Sequence, residues 1–167
     1  MALTESEKQK LMTREEAAAY LRVTVQTLSK YIKQNWFRPK RLGERRVYFT
    51  QEDLDLYIQV RNIGAHVKRR LNKEIAIVKV IGEHVPLQRV APKDSHIPSG
   101  CYVGQCPFHQ EDGIFVVDPK AKAFACSSCG VRGDTYGFLA LHQNMSYPQA
   151  VAHLAEQFAV NIFKEVS

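Results

Sequence analysis

Four residues of this chain could do chemistry together: Cys106 with His109, and Cys126 with Cys129. Each pair is separated by two residues, and sixteen residues lie between the pairs. A two-residue separation lets a backbone turn aim both side chains at one ion. Thiolates and a neutral imidazole are the usual tetrahedral ligands of structural zinc. All four positions are filled, so the expected site is closed, with a net charge of −1 for three thiolates and one imidazole around Zn²⁺. Histidine as the fourth ligand argues against an iron–sulfur cluster. Gly130, directly after Cys129, supplies the small residue a metal knuckle needs where backbone N–H groups approach sulfur.

Two other chemistries share part of this pattern. His109-Gln110-Glu111 followed by Cys126-x-x-Cys129 echoes the zinc deaminases, which keep one coordination position open for water. Here Cys106 would occupy that position, Ala125 stands where those enzymes have proline, and Asp112-Gly113 interrupts the helix they use. A redox Cys126-x-x-Cys129 pair would need a surrounding βαβ pattern, which the sequence lacks. Cys101, five residues before Cys106, falls in a predicted strand and is expected to pack rather than to ligate.

The chain that must position these groups has 167 residues, 45% hydrophobic and 24% charged, enough for one ordinary domain or two small ones. No apolar run approaches the roughly 18 residues of a membrane helix. The opening MALTESEKQK lacks the apolar core of a signal peptide. The expectation is therefore a cytoplasmic protein with no membrane partner, in which four cysteines serve metal or redox chemistry rather than disulfides. A net charge of +6 and a pI near 9.2 permit nucleic-acid binding. Residues 1–65 carry 12 Lys/Arg against 8 Asp/Glu, and residues 66–167 carry 11 against 9. Within the first part the cations gather between Lys30 and Arg46, where Glu44 is the one acid.

That basic stretch follows two predicted helices. Thr13 with Glu16 forms a capping box, and Ala17, Ala18 and Leu21 make an apolar stripe behind it. Arg22-Val23 breaks the pattern, and Thr24 caps a second helix containing Leu28, Tyr31 and Ile32. Two β-forming segments flank Leu42-Gly43-Glu44, and Thr50 with Asp53 opens a third helix through Leu54, Tyr57 and Ile58. Trp36 and Phe37 are expected at the base of the hairpin, in its core.

Helix, turn, helix, basic hairpin and helix resemble the excisionase and MerR-type winged helix-turn-helix DNA-binding domain. The matching residues are Thr13, Glu16, Ala17, Ala18 and Leu21, within about residues 11–60. One departure is Arg22, where the family's turn usually has glycine. The resemblance implies a second helix in a major groove and a hairpin reaching a minor groove or phosphates. Gln26, Thr27, Lys30 and Lys33 are then the groove-facing candidates, with Arg41, Arg45 and Arg46 flanking the wing tip. A winged helix used only for protein contacts is the alternative.

Gly64 is the expected break between modules, giving domains over 1–62 and 66–167. Leu71, Ile75, Val78 and Ile81 recur at helical spacing, His84–Val90 reads as a short extended segment, and Pro86 places it at a sheet edge. Beyond the metal ligands, Asp134 can cap a helix, and Ser146 with Gln149 forms a second capping box.

This second half resembles the zinc-binding domain of bacterial replicative primases over about residues 66–160. The resemblance rests on Cys106, Pro107, His109, Glu111, Cys126, Cys129, Gly130, Gly133, Asp134, Phe138, Leu139, Ala150, Leu154 and Ala155. It implies zinc and contact with a single-stranded template, for which Lys120, Lys122, Phe124 and Arg132 are candidates. Phe115 could join them, though Phe115 and Phe124 read equally well as hairpin core. After Glu111 the segment Asp112–Phe115 is shorter than the family's and has lost a cation.

The fold class expected is α+β: a small winged helix-turn-helix followed by a zinc-ribbon-like domain with flanking helices. Primer synthesis needs clustered carboxylates holding Mg²⁺, which neither module supplies, and no phosphate-binding glycine loop is present. The expected role is a non-enzymatic DNA-binding adaptor, working with a replication or mobilisation protein of a mobile element. A transcriptional or excision regulator, and a template-recognition subunit of a separate primase chain, are the alternatives.

Overall fold

The computed structural model describes residues 11–42, 46–91, 97–109 and 113–162. It begins with a short strand, β1 (Leu11–Met12), and two helices, α1 (Arg14–Tyr20) and α2 (Val25–Lys33). Thr13 caps α1 through the full capping box with Glu16, and Thr24 accepts from the Thr27 N–H to cap α2. Between them Arg22 adopts φ +55°, the left-handed conformation that the family fills with glycine. Two bonds close this turn, Arg22 N–H to the Ala19 carbonyl and Val23 N–H to the Ala18 carbonyl. They form a Schellman motif, which satisfies two carbonyls left over at the end of α1.

The basic hairpin consists of β2 (Lys40–Leu42) and β3 (Arg46–Thr50), antiparallel with Arg41 opposite Val47. Of its predicted turn, Leu42-Gly43-Glu44, the first residue ends β2 and the other two lie outside the described residues. Strand β1 pairs with the other side of β3, so the wing sheet has three strands in the order β1-β3-β2. Helix α3 (Gln51–Arg61) is capped by Thr50. Ala17, Ala18, Leu28, Phe37, Phe49, Leu54 and Tyr57 form the buried core of this half. Two alanines at the α1 contact let α2 approach closely.

Helices α4 (Ala65–Glu74) and α5 (Ile77–Gly82) replace the single helical pattern read across Leu71–Ile81. Ile75 is extended at φ −98°, ψ 98°, and the break serves two cores at once. Leu71, Ile75 and Val80 pack with the last two helices, whereas Ile77, Ile81 and Val85 pack beneath the zinc-side sheet. That sheet runs β4 (Gln88–Arg89), β5 (Tyr102–Gly104), β6 (Phe115–Asp118), β7 (Ala123–Cys126), β8 (Arg132–Gly133), every neighbour antiparallel. The segment after Pro86 is its edge strand, as expected. Cys101 is buried beside β5.

Helices α6 (Thr135–His142) and α7 (Tyr147–Gln157) are the last elements among the described residues. Asp134 caps α6 through the Gly137 N–H, and Ser146 with Gln149 caps α7 with Pro148 in its first turn. The mixed helix and sheet composition is the α+β class.

The helix pair α6–α7 also docks on the helix-turn-helix. Tyr147 N–H donates to the Asn35 carbonyl at 2.9 Å, and the Met145 carbonyl accepts from Asn35 Nδ2 at 3.2 Å and Arg38 Nε at 2.8 Å. Arg38 also bonds the Asn144 side chain, and Gln149 Nε2 donates to Asp53 Oδ1 at 3.2 Å. Val60 and Ile63 share a continuous core with Leu139, Val151 and Leu154. Trp36 packs against this core and against that of the helix-turn-helix, its ring 4.8 Å from Tyr147. The sequence placed Trp36 only at the wing base.

Candidate metal centre and nucleic-acid surfaces

Strand pairing brings the two ligand pairs together. Cys126 ends β7, opposite Phe115, and Cys129 lies in the turn leading to β8, while Cys106 and His109 lie in the connection before β6. Cys126 N–H donates to the Val131 carbonyl at 2.8 Å, closing the knuckle, and Gly130 takes φ +69° within it. Any side chain at Gly130 would have to bear that left-handed backbone.

The ligand atoms of Cys106, His109, Cys126 and Cys129 all lie within 4.8 Å of one another. Cys106 Sγ is 3.9 Å from Cys129 Sγ, and His109 Nε2 is 3.0 Å from Cys126 Sγ. A tetrahedral ion with Zn–S bonds of about 2.3 Å sets its sulfurs roughly 3.8 Å apart. The donor set therefore fits zinc in both chemistry and spacing. Cys106 and Cys126 are buried, and Cys129 is exposed. The hydrogen bond with His109 is the main cause that brings the Cys126 thiol down to about 6, and burial is the main cause that pushes Cys106 up to about 11. A bound dication would ionise both thiols and clamp the hairpins.

Behind the ligands is an aromatic core. Phe115, Phe124 and Phe138 are buried, with Phe124 and Phe138 edge-on at 5.5 Å and Phe108 6.2 Å from Phe124. Phe124 is only 2% exposed, so the expectation that it stacks on a template base is corrected: its ring has no face left for a base. Strand parity carried the signal. Phe124 lies two residues before Cys126 and shares its inward face.

The remaining candidates for strand contact separate. Arg132 is exposed on β8 and belongs to a row crossing the sheet through Gln88, Val103, Val116 and Ala125. Lys120 is exposed in the turn between β6 and β7, which Asp118 holds by accepting from the Lys120 and Ala121 N–H groups. Lys122, in the same turn at φ +53°, is committed to protein: its Nζ donates to the Asn72 carbonyl at 2.6 Å.

On the helix-turn-helix, Gln26, Lys30 and Lys33 are exposed and follow one another at i, i+4 and i+7, so they share a helix face. Thr27 is half-buried, and its hydroxyl is 2.9 Å from that of Thr24, inside the N-cap. Arg41 and Arg46 are exposed, but their pairing with Val47 and Leu42 respectively puts them on opposite faces of the hairpin. Arg45 lies outside the described residues. Arg46 instead lines a cavity of about 340 Å³ with Thr13, Arg14 and Tyr48. Arg14, which the sequence reading passed over, has its Nε buried there with no hydrogen-bond partner among the described residues.

Fold and site thus define a helix-turn-helix joined to a four-ligand Cys/His zinc finger. The chain belongs to the CHC2 zinc finger family, which matches residues 63–167, and a helix-turn-helix domain family matches residues 11–61. The DNA primase of Aquifex aeolicus is 37% identical over 89 residues, covering 53% of this chain and 16% of that protein. The DNA primase of Chlamydia trachomatis is 34% identical over 118 residues, 70% of this chain and 16% of its own length. The chain therefore spans about a sixth of the curated relatives it matches. The crystal structure of the Aquifex aeolicus primase zinc-binding and RNA polymerase domains aligns at TM-score 0.49 and 34% identity, covering 57% of this chain and 22% of that one. Zinc is the cofactor these residues hold, and both matched domains support DNA as the partner. No helix among the described residues is long and apolar enough to cross a membrane.

Proposed function

We propose that the chain is a non-enzymatic DNA-binding adaptor, with residues 1–62 recognising a duplex site and residues 66–167 engaging single-stranded or forked DNA. Gln26 reads base edges from an α2 face whose N-cap Thr27 helps to hold, while Lys30, Lys33 and Arg41 hold phosphates along the helix and wing, with Arg45 at the wing tip. Lys120 and Arg132 serve the strand. The setting is replication initiation or transfer of a mobile element, in the cytoplasm, beside a replication or mobilisation protein.

One observation carries this reading. The helix-turn-helix is docked on the zinc module through Asn35, Arg38 and Tyr147. Such docking gives a primase-type finger a fixed place relative to a duplex reader. A second reading, in which the chain supplies template recognition to a separate catalytic subunit, is favoured by the naming of its relatives as DNA primases.

The test is binding to matched duplex, single-stranded and forked DNA, by the wild type and by Cys126→Ser. The adaptor reading expects the fork to bind more tightly than either part, and the gain to vanish in the variant. Preference for duplex alone would support a regulator, and no binding to any of the three would end the DNA reading. Primer synthesis stimulated in a separate catalytic chain would favour the second reading.

A further inference from the structure

Helix α4 is the most basic element of the molecule, and neither module's recognition surface includes it. Its ten residues, AHVKRRLNKE, carry Lys68, Arg69, Arg70 and Lys73 against Glu74 alone. All four cations are exposed, and none is in an ion pair among the described residues. At 100° per residue, Val67 and Leu71 define the side turned to the core, and Arg69 and Lys73 form the ridge opposite it.

A helix whose polar face is merely solvated usually mixes signs at i, i+4. This one sets Arg69 four residues before Lys73 and Arg70 three before it, pairs that repel one another, and Arg70 alone meets an opposite charge at that spacing, Glu74. Polyanion binding turns that repulsion into attraction.

The zinc hairpin extends the same surface. Lys122 Nζ bonds the Asn72 carbonyl, one of the carbonyls that the end of α4 leaves without an intrahelical partner. The bond holds the turn between β6 and β7, with exposed Lys120, against the last turn of α4. Cations from the two elements thus form one surface between the duplex reader and the zinc sheet.

We infer that α4 and this turn form a third nucleic-acid contact, binding backbone phosphates without sequence preference as DNA passes between the two modules. Arg69, Lys73 and Lys68 carry the contact, with Lys120 continuing it. The inference rests on the adaptor reading for its choice of DNA, and its test separates the two.

The full-length protein and the triple variant Lys68→Gln, Arg69→Gln, Lys73→Gln are titrated between 50 and 300 mM KCl. The probes are a duplex chosen by selection from random sequence and a fork built on the same duplex. Glutamine keeps helix propensity, and zinc content and unfolding midpoint check that the variant is folded. Each phosphate contact contributes about 0.9 to the salt slope on duplex DNA. The triple variant should lower that slope by roughly 2 to 3 and weaken binding about 10- to 100-fold at 0.1 M salt, equally for selected and unrelated sequences. The charge-keeping variant Lys68→Arg, Arg69→Lys, Lys73→Arg should bind as the wild type does. Gln26→Ala should instead reduce the preference for the selected sequence and leave the salt slope nearly unchanged. An unchanged slope in the triple variant, with Gln26→Ala still impaired in sequence preference, overturns the α4 contact and leaves the adaptor reading standing. That outcome also covers an acidic protein as the true occupant. Failure of the wild type to bind any probe removes both.

Discussion

The two halves of this molecule reach a stable core by different means. The helix-turn-helix buries Ala17, Ala18, Leu28, Phe37, Phe49, Leu54 and Tyr57, and Thr13, Thr24 and Thr50 cap its helices. Its described residues hold no cluster of metal ligands. The zinc half sets Phe115, Phe124 and Phe138 beneath a sheet of strands two to four residues long, with the ligands Cys106 and Cys126 inside the same core. Such short strands hold little packing of their own, so the metal supplies the cross-link. A third core belongs to both halves, through Val60, Ile63, Leu71 and the helices α6 and α7. The contrast predicts which damage stays local and which crosses the joint.

Removal of zinc should have the largest effect. In zinc-finger peptides metal binding is worth on the order of 10 kcal/mol. Cys126→Ser, or strong chelation, should release the one zinc ion per chain and melt the strands around Phe115 and Phe124. Circular dichroism would show the loss. Trp36 is the only tryptophan and packs on Tyr147 at the joint, so its emission reports whether the damage spreads. A red shift on chelation shows the halves coupled. Unchanged emission would show the helix-turn-helix indifferent to its neighbour.

Paired cavities sharpen the same contrast. Phe138→Ala should cost about 3 to 5 kcal/mol and Leu28→Ala about 2 to 5 kcal/mol in urea unfolding. Only the first should also speed zinc loss to a competing chelator, because Phe138 shares the core of Cys106 and Cys126. Equal zinc retention in both variants would mean that the ligands hold without the aromatic core.

Tyr147→Phe tests how the zinc half holds the residue that it presents to the joint. The Tyr147 hydroxyl donates to Asp134 Oδ2 at 2.7 Å, while the other oxygen of Asp134 caps α6 directly after the zinc hairpin. Burial first, and then the Asp134 carboxylate, push this phenol far above its ordinary range, so it stays a donor. Phenylalanine keeps the ring on Trp36 and loses the bond. A loss of about 1 to 2 kcal/mol is expected, with Trp36 emission unchanged while folded. A loss no larger than a few tenths would mean the hydroxyl bond contributes little to holding α7 against the start of α6.

Much of this was legible because it was local. Caps at Thr13, Thr24, Thr50, Asp134 and Ser146 announce themselves within four residues, and so does the ligand spacing. The joint was not legible. Its bonds run from Asn35 and Arg38 to residues more than a hundred positions away, and several end on backbone carbonyls, which no side-chain pattern records. The two-residue strand β1 escaped for a related reason, since its pairing with β3 is a choice made by the fold. Phe124 was a different failure. Its alternation with Cys126 was available, yet a family expectation of base stacking kept the alternative open.

The smallest effect expected separates local strain from the joint. Four helices, α1, α2, α6 and α7, end in a Schellman motif, with Arg22, Asn35, Asn144 and Ala159 in the left-handed position at φ between 52° and 60°. None of the four is glycine. Asparagine tolerates that conformation better than most residues, and both asparagines stand at the joint, where Asn35 and Asn144 each make a polar bond across it. Arg22 has no such duty: its backbone N–H closes the turn, and its side chain is exposed. Arg22→Gly should therefore relieve strain and raise stability by about 0.5 to 1 kcal/mol, part of the relief being offset by glycine's freedom in the unfolded chain. Asn35→Gly should lower it, because the same change there removes the Nδ2 donor from the Met145 carbonyl. Opposite signs in urea unfolding would separate a turn that only ends a helix from one that also ties the two halves together. A loss in both variants would show that the Arg22 side chain contributes more to the fold than its backbone strain costs.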